Sequence, residues 1–346
     1  MTLTDYRTLG CSGLIVSPLA LGTMTFGTAR WGSSDEVSET VFNAYVGAGG
    51  NFIDTADVYS GGHSEELVGK FVEDHRLRDR VVLATKFTFS GGRGNPNASG
   101  NGRKNMYRAL EGSLRRLKTD YVDLYWMHAW DGVTPPEEVV GSLSDLVRAG
   151  RIRYYGFSNV PAWYTARVVT LAEAHGLPGP VALQLQYSLI ERSVEVEHVP
   201  AARALGLGLT PWSPLAGGFL SGKYSRETAS ARSQDRLSGT NPFGDTKFTE
   251  HNWGVLDALR EVAREVGHTP AEVALAWVRA QPGVTAPILG ASRTEQLHDN
   301  LAALELTLTP PQLAVLEERS APGPNHGMAA VLKRAVFGGA SVEGWR

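Results

Sequence analysis

Short, nearly continuous apolar runs alternate along this chain with longer stretches in which apolar residues recur every three or four positions. The runs fall at 19–24, 51–56, 81–87, 122–128, 152–159, 182–188, 207–213 and 286–292. Sequences such as VVLATKF and VDLYWMH lack the strict polar–apolar alternation of a half-exposed strand. They predict parallel strands buried on both faces. The stretches between them read as helices. At 103–118, Met106, Leu110, Leu114 and Leu117 form one apolar face. Ser34-Asp35 predicts a capped helix running to Ala48, and Ser64-Glu65-Glu66 opens the next with acids in its first turn. Thr134-Pro135-Pro136-Glu137-Glu138 and Thr269-Pro270-Ala271-Glu272 place proline near a first helical position. Further helices are expected at 161–175, 194–205 and 252–266.

Strands alternating with helices mean βα units and a parallel sheet. Eight units close a barrel or form an open doubly wound sheet. The open sheet usually carries G-x-G-x-x-G after its first strand. Here that strand runs into LGTMTFGT, which has the wrong spacing. The expected fold is therefore an α/β chain of the (β/α)8 TIM-barrel type, one domain over 1–346. A hairpin is expected at 6–18 as a plug under the barrel floor, the barrel over about 19–320, and a tail at 321–346. Loops at 89–102 and 216–250 follow predicted strands, on the face where barrel active sites lie.

Composition narrows the function. Lys and Arg number 33 against 36 Asp and Glu, a net charge of −3, so nothing predicts nucleic-acid binding. No apolar run approaches the ~20 residues of a membrane span, and the N-terminus has no signal-peptide pattern. A single cysteine, Cys11, excludes an intramolecular disulfide and fits a cytoplasmic protein. The 39 glycines cluster partly at 61–62, 91–102 and 217–222, in loops after predicted strands.

Polar residues at the C-terminal ends of barrel strands point into the active site. Asp54 ends the second run, Tyr59 follows five residues later, Lys86 lies near the end of the third, and His128 ends the fourth. A buried ammonium is costly unless paired, and Asp54 on the adjacent strand is its natural partner. A cation beside a tyrosine favours phenolate, which suits the tyrosine to general acid–base work. The histidines form no H-E-x-x-H or other close metal-ligand set, so no metal is expected.

Three segments carry a resemblance. GNFIDTADVYSGGHSEELVG at 50–69, LRRLKTDYVDLYWMH at 114–128 and GRIRYYGFSN at 150–159 resemble the aldo-keto reductases in content and order. The resemblance spans about Tyr6 to Leu316. It is nearest the bacterial and fungal branch of aryl-alcohol dehydrogenases and of reductases acting on secondary metabolites and deoxysugars. It implies a barrel that binds a nicotinamide cofactor without a Rossmann fold. The family's catalytic tetrad falls on Asp54, Tyr59, Lys86 and His128. The implied reaction is reduction of an aldehyde or ketone to an alcohol by direct hydride transfer, with Tyr59 as general acid.

The resemblance also implies the cofactor contacts. Gly22, Thr23, Met24 and Asp54 lie at the nicotinamide end. Ser158, Asn159 and Gln184 hold the carboxamide, and Trp212 stacks on the ring. Ser213, Pro214, Leu215, Gly217 and Lys223 line the pyrophosphate. Gly290, Ser292, Gln296 and Asn300 surround the adenosine. Gly290 and Gln296 stand where many members carry the basic pair that selects NADP(H). The candidates for the 2′-phosphate are instead Arg293 and Arg232, with Arg236 as alternate. NADPH is the expected cofactor and NADH the alternative. Phe26, Trp31, Phe87 and Trp130, with Met24 and Ala129, are expected to wall the pocket for a small carbonyl compound, either aromatic or a metabolite or sugar intermediate. The molecule is expected to act as a monomer or homo-oligomer. The competing reading is a non-catalytic, cofactor-binding regulatory module resembling potassium-channel β subunits.

Overall fold

The computed structural model of the protein describes residues 1–28, 32–89, 91–92, 94–227, 237 and 247–322. The chain starts with an antiparallel hairpin, β1 (Arg7–Thr8) and β2 (Ile15–Val16), pairing Arg7 with Val16 and Thr8 with Ile15. Eight parallel strands follow: β3 (Ala20–Gly22), β4 (Phe52–Asp54), β5 (Val82–Phe87), β6 (Val122–Met127), β7 (Ile152–Ser158), β8 (Ala182–Gln184), β9 (Gly208–Leu209) and β10 (Ile288–Gly290). They are ordered β10-β3-β4-β5-β6-β7-β8-β9. The circle closes between the ends of that list: Leu209 N–H donates to Gly283 O at 3.0 Å and Thr285 N–H to Leu209 O at 2.8 Å. This is the expected (β/α)8 barrel.

The helices that return each strand to the next are α1 (Asp35–Gly47), α2 (His63–Asp74), α3 (Arg103–Arg116), α4 (Pro136–Arg148), α5 (Ala162–Ala174), α6 (His198–Ala204), α7 (Glu250–Val266) and α8 (Pro270–Ala280). Two more, α9 (Thr294–Ala302) and α10 (Pro310–Ser320), follow β10 and were not predicted. Ser34 caps α1 by accepting from Val37 N–H, and Thr269 caps α8 by accepting from Glu272 N–H. The single helix expected at 194–205 is instead a 3-10 turn, Ser193–Glu195, followed by α6. Pro200 explains the break: it has no N–H to give and is tolerated only in a helix's first turn.

Two cores divide the molecule. The larger lies between sheet and helices. The smaller fills the barrel, where Phe52, Val82, Leu124, Trp126 and Ala286 meet Leu9, Leu14 and Val16 of the hairpin segment. The hairpin is thus the plug that its sequence predicts. Gly156 makes room for the largest of these side chains. A Cβ there would lie 2.4 Å from the Trp126 ring and 2.6 Å from Ala182 O. With its floor sealed and its interior packed, the barrel presents chemistry at the C-terminal strand ends.

Candidate active site

Asp54, Lys86 and His128, at the C-terminal ends of β4, β5 and β6, converge above the packed interior. Asp54 pairs across the sheet with Ala84, two residues before Lys86, and Lys86 pairs with Trp126, two before His128. Side chains two apart on a strand share a face, so all three polar groups rise on one side. Lys86 is completely buried. Its Nζ donates to Asp54 Oδ2 in a short contact, to Thr55 O at 2.8 Å and to the Tyr59 hydroxyl at 3.2 Å. Three acceptors satisfy its three N–H groups. Burial alone would push the Lys86 ammonium down, but the attraction of Asp54 and Tyr59 outweighs it, and the net shift is upward. Gln184 Nε2 donates to the other Asp54 oxygen at 3.0 Å and fixes the carboxylate's plane.

Tyr59 is carried by a 3-10 turn, Tyr59–Gly62. Its ring meets His128 nearly edge-on, centroids 5.9 Å apart. His128 is held by its own N–H to Phe87 O at 2.9 Å and flanked by the Phe89 ring at 4.6 Å. Its buried Nδ1 has no hydrogen-bond partner. Burial, aided by the Lys86 charge, pushes His128 well below its usual value, so the ring is neutral at physiological pH. The geometry offers a hydroxyl beside a fixed cation and a neutral imidazole across from it. That is a proton donor next to a hydrogen-bonding group.

These groups form one end of a cavity of about 690 Å³ that runs across the strand ends to α9. It is lined at this end by Gly22, Met24, Asp54, Tyr59 and His128. Ser158, Asn159, Gln184 and Trp212 follow, then Ser213, Pro214, Leu215, Gly217 and Lys223, and finally Gly290, Ser292, Gln296 and Asn300. Thr23 does not line it. Its buried hydroxyl bonds Ser64 Oγ at 2.9 Å, beneath the cavity wall. Arg293 lines the far end. Arg232, Arg236 and Trp31 lie outside the described residues.

A family model described as "Aldo/keto reductase family" matches residues 18–320. The chain belongs to the aldo/keto reductase family. It is 38% identical over 328 residues to an uncharacterized oxidoreductase, YrpG, of Bacillus subtilis, covering 92% of this chain and 97% of the relative. It is 36% identical over 310 residues to a probable voltage-gated potassium channel subunit beta of Oryza sativa, with 88% and 93% covered. It is 33% identical over 330 residues to norsolorinic acid reductase of Aspergillus flavus, with 92% and 81% covered. Like other aldo/keto reductases, it is an oxidoreductase of carbonyl compounds that uses a nicotinamide cofactor.

The local backbone suits such a cofactor. Ser60, Thr88, Asn159, Ser213 and Ala216 all have positive φ, and all lie at or just after strand ends on this face. Non-glycine residues held there cost on the order of 1–3 kcal/mol each and cluster at functional sites. Gly217 (φ 68°) continues the turn begun by Ser213, whose Oγ accepts from Gly217 N–H at 3.0 Å. With no side chain at 217, the backbone there can be approached closely. Asn159 does more than its sequence suggests. Its Nδ2 donates to His128 O and Ser158 Oγ at 2.9 Å, and its Oδ1 accepts from Trp212 Nε1 at 3.0 Å. It ties three strand ends together.

The expected substrate wall is largely corrected. Phe26 and Phe87 are fully buried, packed on Phe71 and Tyr125 in the layer between sheet and helices. Phe87 neighbours Lys86, and adjacent strand residues face opposite ways. Ala129 and Trp130 do not line the cavity. Trp130 instead packs edge-on against Trp163, centroids 5.6 Å apart, and remains partly exposed. Phe89, Val58 and Thr25 line the cavity and were not predicted. Phe89 could have been found, since it is the first aromatic residue after the strand that carries Lys86.

Proposed function

We propose that the protein reduces an aldehyde or ketone to an alcohol with NADPH, using Tyr59 as the general acid. The observation that carries this reading is the fully buried Lys86 joining Asp54 to Tyr59 opposite a neutral His128. When bound, the reduced nicotinamide supplies the hydride that the carbonyl carbon receives. Tyr59 passes its hydroxyl proton to the carbonyl oxygen as negative charge develops there. Lys86 stabilises the phenolate left behind, and Asp54 keeps Lys86 in place. His128, being neutral, hydrogen-bonds the same oxygen without competing for its proton.

Ser158, Gln184 and Trp212 would hold the nicotinamide end, Ser213, Leu215, Gly217 and Lys223 the phosphates, and Ser292, Gln296 and Asn300 the adenosine. Gln296 supports this because its Oε1 accepts from Ser292 N–H and Oγ, both at 3.0 Å, which leaves Nε2 to donate to a ligand. Arg293 is our candidate for the 2′-phosphate. The Phe89 ring beside His128 favours aromatic or apolar carbonyl compounds, in keeping with a relative named norsolorinic acid reductase.

Replacing Tyr59 by Phe tests the reading. Turnover of aromatic aldehydes is expected to fall at least about 100-fold while NADPH affinity stays within about twofold. Near-normal turnover would refute the assignment. Similarity to a potassium channel subunit beta supports a second reading, a cofactor-binding regulatory module. NADPH binding with no turnover across a panel of carbonyl compounds would favour it.

A further inference from the structure

A second cavity, about 290 Å³, lies on the other side of the segment that carries Tyr59. Val58 lines both cavities, so this segment is the partition between them. The lining of the second is polar and basic: Arg108, Arg115 and Arg116 from α3 converge there with Asp57, Gly61 and Gly91. Three arginines in one small hollow need a reason, because like charges repel.

Two of them are held in place. Arg116 Nε and Nη2 reach the buried Glu65 carboxylate at 2.7 and 2.6 Å. Arg108 Nη2 donates to Asn105 Oδ1 at 2.7 Å and Ala98 O at 3.1 Å. Small residues make space for them. A Cβ at Gly91 would lie 3.1 Å from Arg108 Nη2, and one at Gly112 would lie 3.1 Å from Arg116 Nη1. Arg115 is exposed and forms no ion pair among the described residues. Asp57 has a buried carboxylate oxygen with no hydrogen-bond partner. One carboxylate, Glu65, is therefore spent on one arginine, and positive charge remains.

We propose that this cavity binds a tetrahedral oxyanion, phosphate or a small phosphomonoester, between the α3 arginines and the back of the Tyr59 segment. Guanidinium forks match such oxygens in pairs, and the volume leaves room for a small ester group beyond them. An anion there braces the partition from the side opposite the substrate. Asp57 fits as a gate. Burial first, and Glu65 second, push its carboxyl up to about 7, against the pull of Arg116, Arg108 and Lys86. Protonated, it donates to the anion; ionised, it repels it.

The test is titration of the full-length protein with sodium sulfate at constant ionic strength, by calorimetry. Sulfate stays a dianion over the range used, so any pH dependence belongs to the protein. Saturable binding is expected. Arg115→Gln, at an exposed position, and Arg108→Gln should each weaken it about tenfold, and Arg293→Gln should leave it unchanged. Affinity should fall from about pH 6 to about pH 8 in the native chain and stay flat in Asp57→Asn. Absence of saturable binding overturns the proposal. So does binding weakened only by Arg293→Gln, or by neither α3 variant, or a pH dependence that survives in Asp57→Asn. Comparing glycerol phosphate with inorganic phosphate tells an ester ligand from the free ion.

Discussion

At Lys86 one ammonium joins three elements: β5 that bears it, β4 through Asp54, and the 3-10 turn through Tyr59. Removing half of a buried ion pair strands the other charge, at a cost of about 3–5 kcal/mol. Lys86→Met should therefore lower the urea midpoint by a corresponding amount as well as abolish turnover. A variant as stable as the native chain would show that Asp54 does not depend on this lysine. Asp57 behaves in the opposite sense. Its carboxyl holds a proton in the folded chain up to about pH 7, whereas an unfolded aspartate releases it near 4. The folded state binds the extra proton across that window, so stability falls as pH rises through it. Asp57→Asn should gain up to about 4 kcal/mol at about pH 8 and nothing below about pH 4. Denaturant melts at the two pH values check it. Equal gains at both would remove the titration from the explanation.

Among the elements, α10 is the clearest case of a readable signal passed over. The Thr309 side chain accepts from Gln312 N–H while Gln312 Oε1 accepts from Thr309 N–H at 2.9 Å, with Pro310 at the first helical position. That T-P-P-Q start is as explicit as the one that predicted α8. Thr309→Ala should cost about 1 kcal/mol, seen as a shifted urea midpoint, and no change would show that α10 is held by packing alone. Strand positions were legible because both faces are buried, which makes the runs continuous. Strand ends were not. The run at 207–213 yields only Gly208–Leu209 as continuous strand: Trp212 still bridges Gln186, but Pro211 before it has no N–H and Ser213 turns to φ 55°. The three polar residues beside Tyr59, namely Asp54, Lys86 and His128, could be read from strand ends alone. The proposed cofactor contacts needed the family resemblance, since no spacing rule joins Gly22 to Asn300. The substrate wall misled because aromatic residues near strand ends face either the mouth or the helix layer, and composition does not distinguish the two.

At the scale of the whole molecule, the hairpin completes the inner core. Leu9, Leu14 and Val16 cover Phe52, Val82 and Ala286 at the barrel floor. Deleting residues 1–18 would bare that apolar floor to water. The truncated chain is expected to bind a hydrophobic dye and to lose about 3 kcal/mol or more, on the scale of removing several buried side chains. A deletion that melts like the full chain would mean the barrel seals itself. Cofactor choice also belongs to this scale, since Arg293 follows the strand that closes the circle. Arg293→Ala should raise KM for NADPH about tenfold and leave KM for NADH nearly unchanged. Equal effects on both would remove it from the selection of phosphate.

The closure of the sheet has a consequence in time. β3 has β10 as one of its two neighbours, with Ala20 opposite Ile288. Synthesis proceeds at about 5–20 residues per second. Ala20 therefore leaves the ribosome roughly a quarter of a minute to a minute before its neighbour exists. Until then β3 and β9 are raw edges, open to any other strand nearby. Throughout that interval, and not only at the first collapse, this chain is exposed to aggregation.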